Sequence, residues 1–87
     1  MDSLEQLISV CKAYINAAFS IEEFQNRLET IILPDKYKNT LEKDQHNAFN
    51  KLDEIRFSYL PENQKKYTNA VAEELIHAIR IAQNNSK

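Results

Sequence analysis

Eighty-seven residues, 43% hydrophobic and 28% charged, make one globular domain with a small core. A net charge of −2 lacks the basic face that phosphate binding needs, which excludes nucleic acid as the primary partner. The chain has no glycine, the residue that tight hairpins and left-handed turns use most, which excludes a β-rich fold.

The first predicted helix covers about residues 4–18, with Ser3 as its cap. Leu4, Leu7, Ile8, Cys11, Tyr14, Ile15 and Ala18 recur at intervals of three and four, the spacing of one helix face. Cys11 falls on that face and is read as a buried structural thiol, since no base or electropositive setting accompanies it. As the chain's lone cysteine it excludes an internal disulfide.

The second helix is predicted over about residues 20–33, and its start is the sharpest local signal in the chain. In Phe19-Ser20-Ile21-Glu22-Glu23-Phe24, Ser20 and Glu23 make a capping box inside a staple of Phe19 and Phe24. Ile21, Phe24, Leu28, Ile31 and Ile32 form its inner face, and Pro34 is expected to stop it by forcing Leu33 out of helical geometry. A link of about two residues makes the first two helices antiparallel neighbours.

A polar stretch, 35–40, leads to a third helix over about residues 40–59, capped by Thr40 or Asn39, with Asp35 as an earlier alternative. Leu41, Ala48, Leu52, Ile55 and Tyr59 mark its core stripe. Phe49 widens that stripe, and Gln45 interrupts it with a polar group. Pro61 suits the first position of a fourth helix, predicted to reach about residue 83. Tyr67, Val71, Leu75, Ala78, Ile79 and Ala82 form its stripe, and residues 84–87 are expected to be a frayed tail. The whole, residues 1–87, reads as a single all-α domain: a small antiparallel four-helix bundle in up-down-up-down order.

No segment approaches the ~20 apolar residues of a membrane span, and the start lacks the charged and apolar regions of a signal peptide. A cytoplasmic setting without membrane association is the expectation. Glu74-x-x-His77 has the spacing of a di-iron bundle motif, but the second such pair and the further inward carboxylates are missing. No catalytic triad can be assembled from the chain's two histidines, and no glycine-rich phosphate loop is possible. The expectation is a protein that is not an enzyme, with no catalytic residues, no metal and no cofactor.

Charge placement then carries the functional reading. Glu23 can pair with Arg27 at i+4 and Asp53 with Arg56 at i+3. Glu22 and Glu29, seven apart on one face of the second helix, have no basic residue within helical reach. Glu73 and Glu74 form a second acidic pair. Such faces serve either as solvated surface or as a receptor for the lysines and arginines of a basic protein. Tyr37, Phe57 and Tyr59 are the aromatics placed to anchor an interface.

The pattern Leu7-Ile8-x-x-Cys11-x-x-Tyr14, followed by Phe19-Ser20-Ile21-Glu22-Glu23-Phe24-x-x-Arg27-Leu28-Glu29, resembles the opening helical hairpin of the colicin D-type immunity proteins. The resemblance spans roughly residues 4–32. It implies four antiparallel helices and a protein that shields a bacterium from its own tRNA-cleaving toxin, covering the toxin's basic site with carboxylates. Glu22, Glu23 and Glu29 are the positions that carry over. Surface reasoning adds Asp53, Glu54, Glu73 and Glu74. The expected partner is a cognate toxin with a basic nuclease domain, bound by a monomer or weak homodimer. The alternative is a self-associating helical adaptor or regulator, with Phe57, Ile76 and Ile81 as its interface.

Overall fold

The computed structural model describes residues 3–85, and every periodic stretch in them is helical. The helices are α1 (Ser3–Ile15), α2 (Ile21–Thr30), α3 (Leu41–Ser58) and α4 (Pro61–Asn85), with a 3-10 turn, Asp35–Tyr37, between α2 and α3. Consecutive helices pack on one another, and α4 closes the ring against α1. Cross-helix bonds fix the directions. Glu5 near the start of α1 meets Gln83 near the end of α4, while Tyr14 at the end of α1 meets Thr68 in the first half of α4. Glu22 at the start of α2 meets Arg56 at the end of α3. The fold is an all-α four-helix bundle.

α1 ends at Ile15, three residues before the expected Ala18. The chain reverses at Ala17, whose φ of 63° is left-handed. Ala18 N–H donates to the Ala13 carbonyl at 3.0 Å and Ala17 N–H to that of Tyr14 at 2.9 Å. These are the paired closing bonds that usually accompany a glycine, and alanine holds the position at a cost of about 1 kcal/mol. The Lys65 ammonium adds a cation at this helix end, donating to the Tyr14 carbonyl and lying 3.8 Å from the Tyr14 ring centroid. Its desolvation there lowers the lysine pKa.

α2 begins with the serine half of its capping box and with the staple. Ser20 Oγ accepts from Glu23 N–H at 3.2 Å, and the Phe19 and Phe24 rings lie 6.4 Å apart. The Glu23 carboxylate turns outward to Arg27, at 2.9 Å, and Arg27 in turn covers the Phe19 ring. The end of α2 departs from expectation: it stops at Thr30 rather than at 33, well before Pro34 acts. Burial explains the early stop. Residues two apart project from opposed sides of a helix but from the same side of an extended chain. Leaving the helix lets Ile31 and Leu33 both enter the core, and it turns Ile32 outward to 80% exposure. The freed carbonyls of Leu28 and Ile31 accept from Gln45 Nε2 of α3. The polar interruption in the third stripe is therefore a cap for its neighbour.

The core contains Tyr14, stacked on Phe24 with ring centroids 4.5 Å apart, together with fully buried Leu7, Leu28, Leu52 and Ile79. The Tyr14 hydroxyl and buried Thr68 share a hydrogen bond at 2.5 Å, which satisfies both in the interior. Val10, Leu33, Tyr37 and Thr68 are buried beyond the expected stripes, whereas Ala18, Ile32, Tyr59 and Tyr67 are exposed. Thr40 precedes α3 without a side-chain cap, its hydroxyl donating to the Tyr37 carbonyl instead. α4 continues through Asn85, and the tail positions Ser86 and Lys87 lie outside the described residues.

Two outcomes follow. Ala17→Gly relieves the left-handed strain and, after glycine's own entropic cost, raises stability by roughly 0.5–1 kcal/mol in a denaturant titration. Burial pushes the Cys11 thiol from its ordinary 9.0 up to about 12, so between those values the unfolded chain has lost a proton that the folded one keeps. Burial also raises the Tyr14 hydroxyl, an effect its bond to Thr68 reduces. This contribution is complete below pH 9 and is lost as pH climbs toward 12, so the urea midpoint falls above pH 9, less steeply in Cys11→Ser.

Candidate partner-binding surface

The seven carboxylates singled out from the sequence occur on α2, α3 and α4. The described part of α1 contributes one acid, Glu5. Because α3 lies between α2 and α4 in the ring, the acid-bearing helices form one continuous side of the bundle. The tertiary fold divides this side into three regions.

The first is the seam between the start of α2 and the end of α3. Gln25, which lies between Glu22 and Glu29 in the chain, is buried there. Its Nε2 donates to the Phe49 carbonyl at 3.2 Å and to Asp53 Oδ1 at 2.9 Å. Arg56 Nη1 donates to Gln25 Oε1 at 2.7 Å, while Nη2 reaches Glu22 Oε1 at 2.8 Å. Asp53 also faces Arg56 at 3.8 Å, the expected i+3 pair. Glu22 thus has a partner on another helix, which a search confined to its own turns misses. Its carboxylate is still 72% exposed, so the pair sits at the surface and contributes at most about 1 kcal/mol. What it supplies is position: one carboxylate oxygen is held while the group still faces solvent.

The second region is a shallow depression of about 300 Å³ between α3 and α4, bordered by Asp44, Lys51, Glu54 and Glu74. Lys51 pairs with Glu74 at 3.2 Å, and Glu74 keeps 68% exposure. Glu54 has no ion pair among the described residues, and neither does Glu73, the exposed residue just before Glu74 on α4. His77 is exposed. Among the described residues no three metal-ligating side chains come together, around Glu74 and His77 or elsewhere.

The third region surrounds Glu29, at the far end of α2 from Glu22. A groove of about 620 Å³ runs between the end of α2 and the first half of α3, with Glu29, Glu42, Lys38 and His46 on its rim. Glu42 was not among the sequence candidates. It is read locally as a favourable acid in the first turn of α3, and its approach to Glu29 requires the loop between the helices.

Of the three aromatics expected to anchor an interface, Tyr37 is buried against the core, Phe57 is 81% exposed, and Tyr59 is partly covered by Tyr67, with ring centroids 4.5 Å apart. Of the alternative interface residues, Ile76 packs against the core, while Phe57 near the end of α3 and Ile81 near the end of α4 are exposed.

Comparison with protein-family models, with curated proteins and with solved structures finds no match.

The polar seam makes an ordering of effects. Arg56→Ala strands buried Gln25 and is expected to cost about 1–3 kcal/mol, and Gln45→Ala, which uncaps two carbonyls, about 1–2 kcal/mol. Glu22→Ala removes one surface pair and costs under about 1 kcal/mol. Chemical denaturation of the three variants checks this, and equal losses for Glu22→Ala and Arg56→Ala contradict it.

Proposed function

We propose that this chain is an inhibitory binding protein of the immunity type. It seats its acid-bearing side on a basic protein toxin, a nuclease of the same bacterium, and excludes substrate by occupancy. The observation that carries this reading is the one-sided placement of the acids. Glu22, Glu23, Glu29, Asp53, Glu54, Glu73 and Glu74 lie on α2, α3 and α4, which are consecutive in the ring, and α1 contributes none of them.

The carboxylates divide into two groups with complementary uses. Glu29, Glu54 and Glu73 have no ion pair among the described residues, so an arriving cation displaces nothing. Glu22 and Glu74 are held by Arg56 and Lys51 yet remain open to solvent, so less side-chain ordering is needed on binding. An excess of negative charge on one side also steers the encounter with a basic cleft, accelerating association at low salt. No covalent step is required of this chain. The pattern of residues 7–29 supports the same reading through its likeness to the colicin D-type immunity proteins. The cytoplasm, where such a toxin meets its substrate, is the corresponding place of action.

Co-expression with a basic nuclease toxin domain, sought in the reading frames next to this gene, tests the proposal. Growth is expected to be rescued, and the triple reversal Glu29→Lys, Glu54→Lys, Glu73→Lys is expected to abolish rescue while leaving the helical circular dichroism signal intact. Rescue that survives the triple reversal, or no rescue by the wild-type chain, overturns it.

A further inference from the structure

We propose that the groove between the end of α2 and the first half of α3 is the docking site for one occupant, an extended cationic protein segment that sets an apolar side chain beside Ile32. This rests on the inhibitory reading above and narrows it from a whole side of the bundle to one surface.

The groove exists because α2 ends early. Residues 31–34 run outside helical structure, with Ile31 (φ −84°, ψ 117°) and Pro34 (φ −58°, ψ 151°) both extended. A helix continued to residue 33 would have filled the space against α3. Instead the floor is apolar, built from Leu28, Ile31, Leu33 and Phe49, and Ile32 stands at the lip, 80% exposed. An isolated surface isoleucine is ordinary. One beside an apolar groove of about 620 Å³ is a place for a partner's side chain.

Charge selects the occupant. The rim carries two carboxylates, Glu29 and Glu42, neither ion-paired among the described residues. Its lysine, Lys38, pairs at the surface with exposed Asp35 at 3.2 Å, and His46 also lines it. The two carboxylates outnumber the lysine, which favours lysine and arginine over phosphate or an acidic peptide. The main chain adds a reason for an extended segment: residues 31–34 lie outside helical structure at the lip, so the partner meets extended backbone there rather than a helix surface. The depression beside Lys51 and Glu74 lacks these features: it is smaller, more polar, and its lysine is turned into it.

The test uses the full chain and three short synthetic peptides: alternating lysine and leucine, alternating glutamate and leucine, and alternating lysine and serine. The lysine–leucine peptide is expected to bind best and to shift the amide resonances of Glu29, Ile32, Leu33 and Glu42. Ile32→Ser, or Glu29→Lys with Glu42→Lys, is expected to raise its Kd about tenfold, while Ile81→Ser does not. All are exposed positions, and the thermal midpoint verifies that each variant is folded. Equal binding of the glutamate–leucine peptide, or shifts centred on Phe57 to Tyr67 or on Lys51 and Glu74, overturns the proposal. Growth rescue separates it from the broader reading. Rescue that survives Ile32→Ser removes the groove and leaves the inhibitor, whereas loss of all rescue with intact peptide mapping removes the inhibitor and leaves the groove.

Discussion

A helix of ten residues does not hold itself together in water, because the cost of nucleation is repaid by too few hydrogen bonds. α2 has that length, and every feature of the acid-bearing side depends on its staying in place. Its stability is borrowed from α3 and α1. Phe24 and Leu28 are fully buried, Gln25 reaches across to Phe49 and Asp53, and Gln45 reaches back to Leu28 and Ile31. Two glutamines therefore tie α2 to α3, one near each end. Both are buried or half-buried, where an unmade hydrogen bond costs more than a made one contributes, so they define a single arrangement of the two helices.

Arg56 links that structural seam to the surface. Its guanidinium divides between buried Gln25 and exposed Glu22, with Asp53 at its side. The planar fork suits this double duty, since separate N–H groups satisfy an inward acceptor and an outward carboxylate at once. The consequence is an acidic surface whose carboxylates are partly pre-oriented by the same contacts that hold the fold. Stability and the placement of surface charge are coupled there, and a change at Arg56 alters both.

The early end of α2 is the other decisive local event. A helix continued to Pro34 would face Ile31 and Leu33 to different sides and leave one of them in water. The extended alternative buries both and exposes Ile32. Burying a leucine or isoleucine is worth about 1.5–3 kcal/mol, more than the few helical bonds forgone, two of whose carbonyls Gln45 recovers. Core packing thus decides where the helix ends, and the groove between α2 and α3 is its by-product.

Much of the architecture was legible in the residues themselves. The spacing of Leu4, Leu7, Cys11 and Tyr14, the Ser20–Glu23 cap inside the Phe19–Phe24 staple, and Pro61 after Leu60 are local signals, set by neighbours within a turn or two. They specified four helices and their order. The within-helix pairs Glu23–Arg27 and Asp53–Arg56 were legible for the same reason. The positions that surprised, Gln25, Thr68, Ile32 and the link of Glu22 to Arg56, depend on residues 28 to 54 positions away or on burial against another helix. Periodicity says which side of a helix faces inward, but not which polar group waits on the helix opposite. That is why Gln45 looked like an interruption and proved to be a cap. The sequence alone determined the elements and the sign of their surfaces, because those follow from short-range propensity and side-chain period. The tertiary structure alone decided which carboxylates are held, which are free, and where a groove opens, because each of these is a contact between segments far apart in the chain.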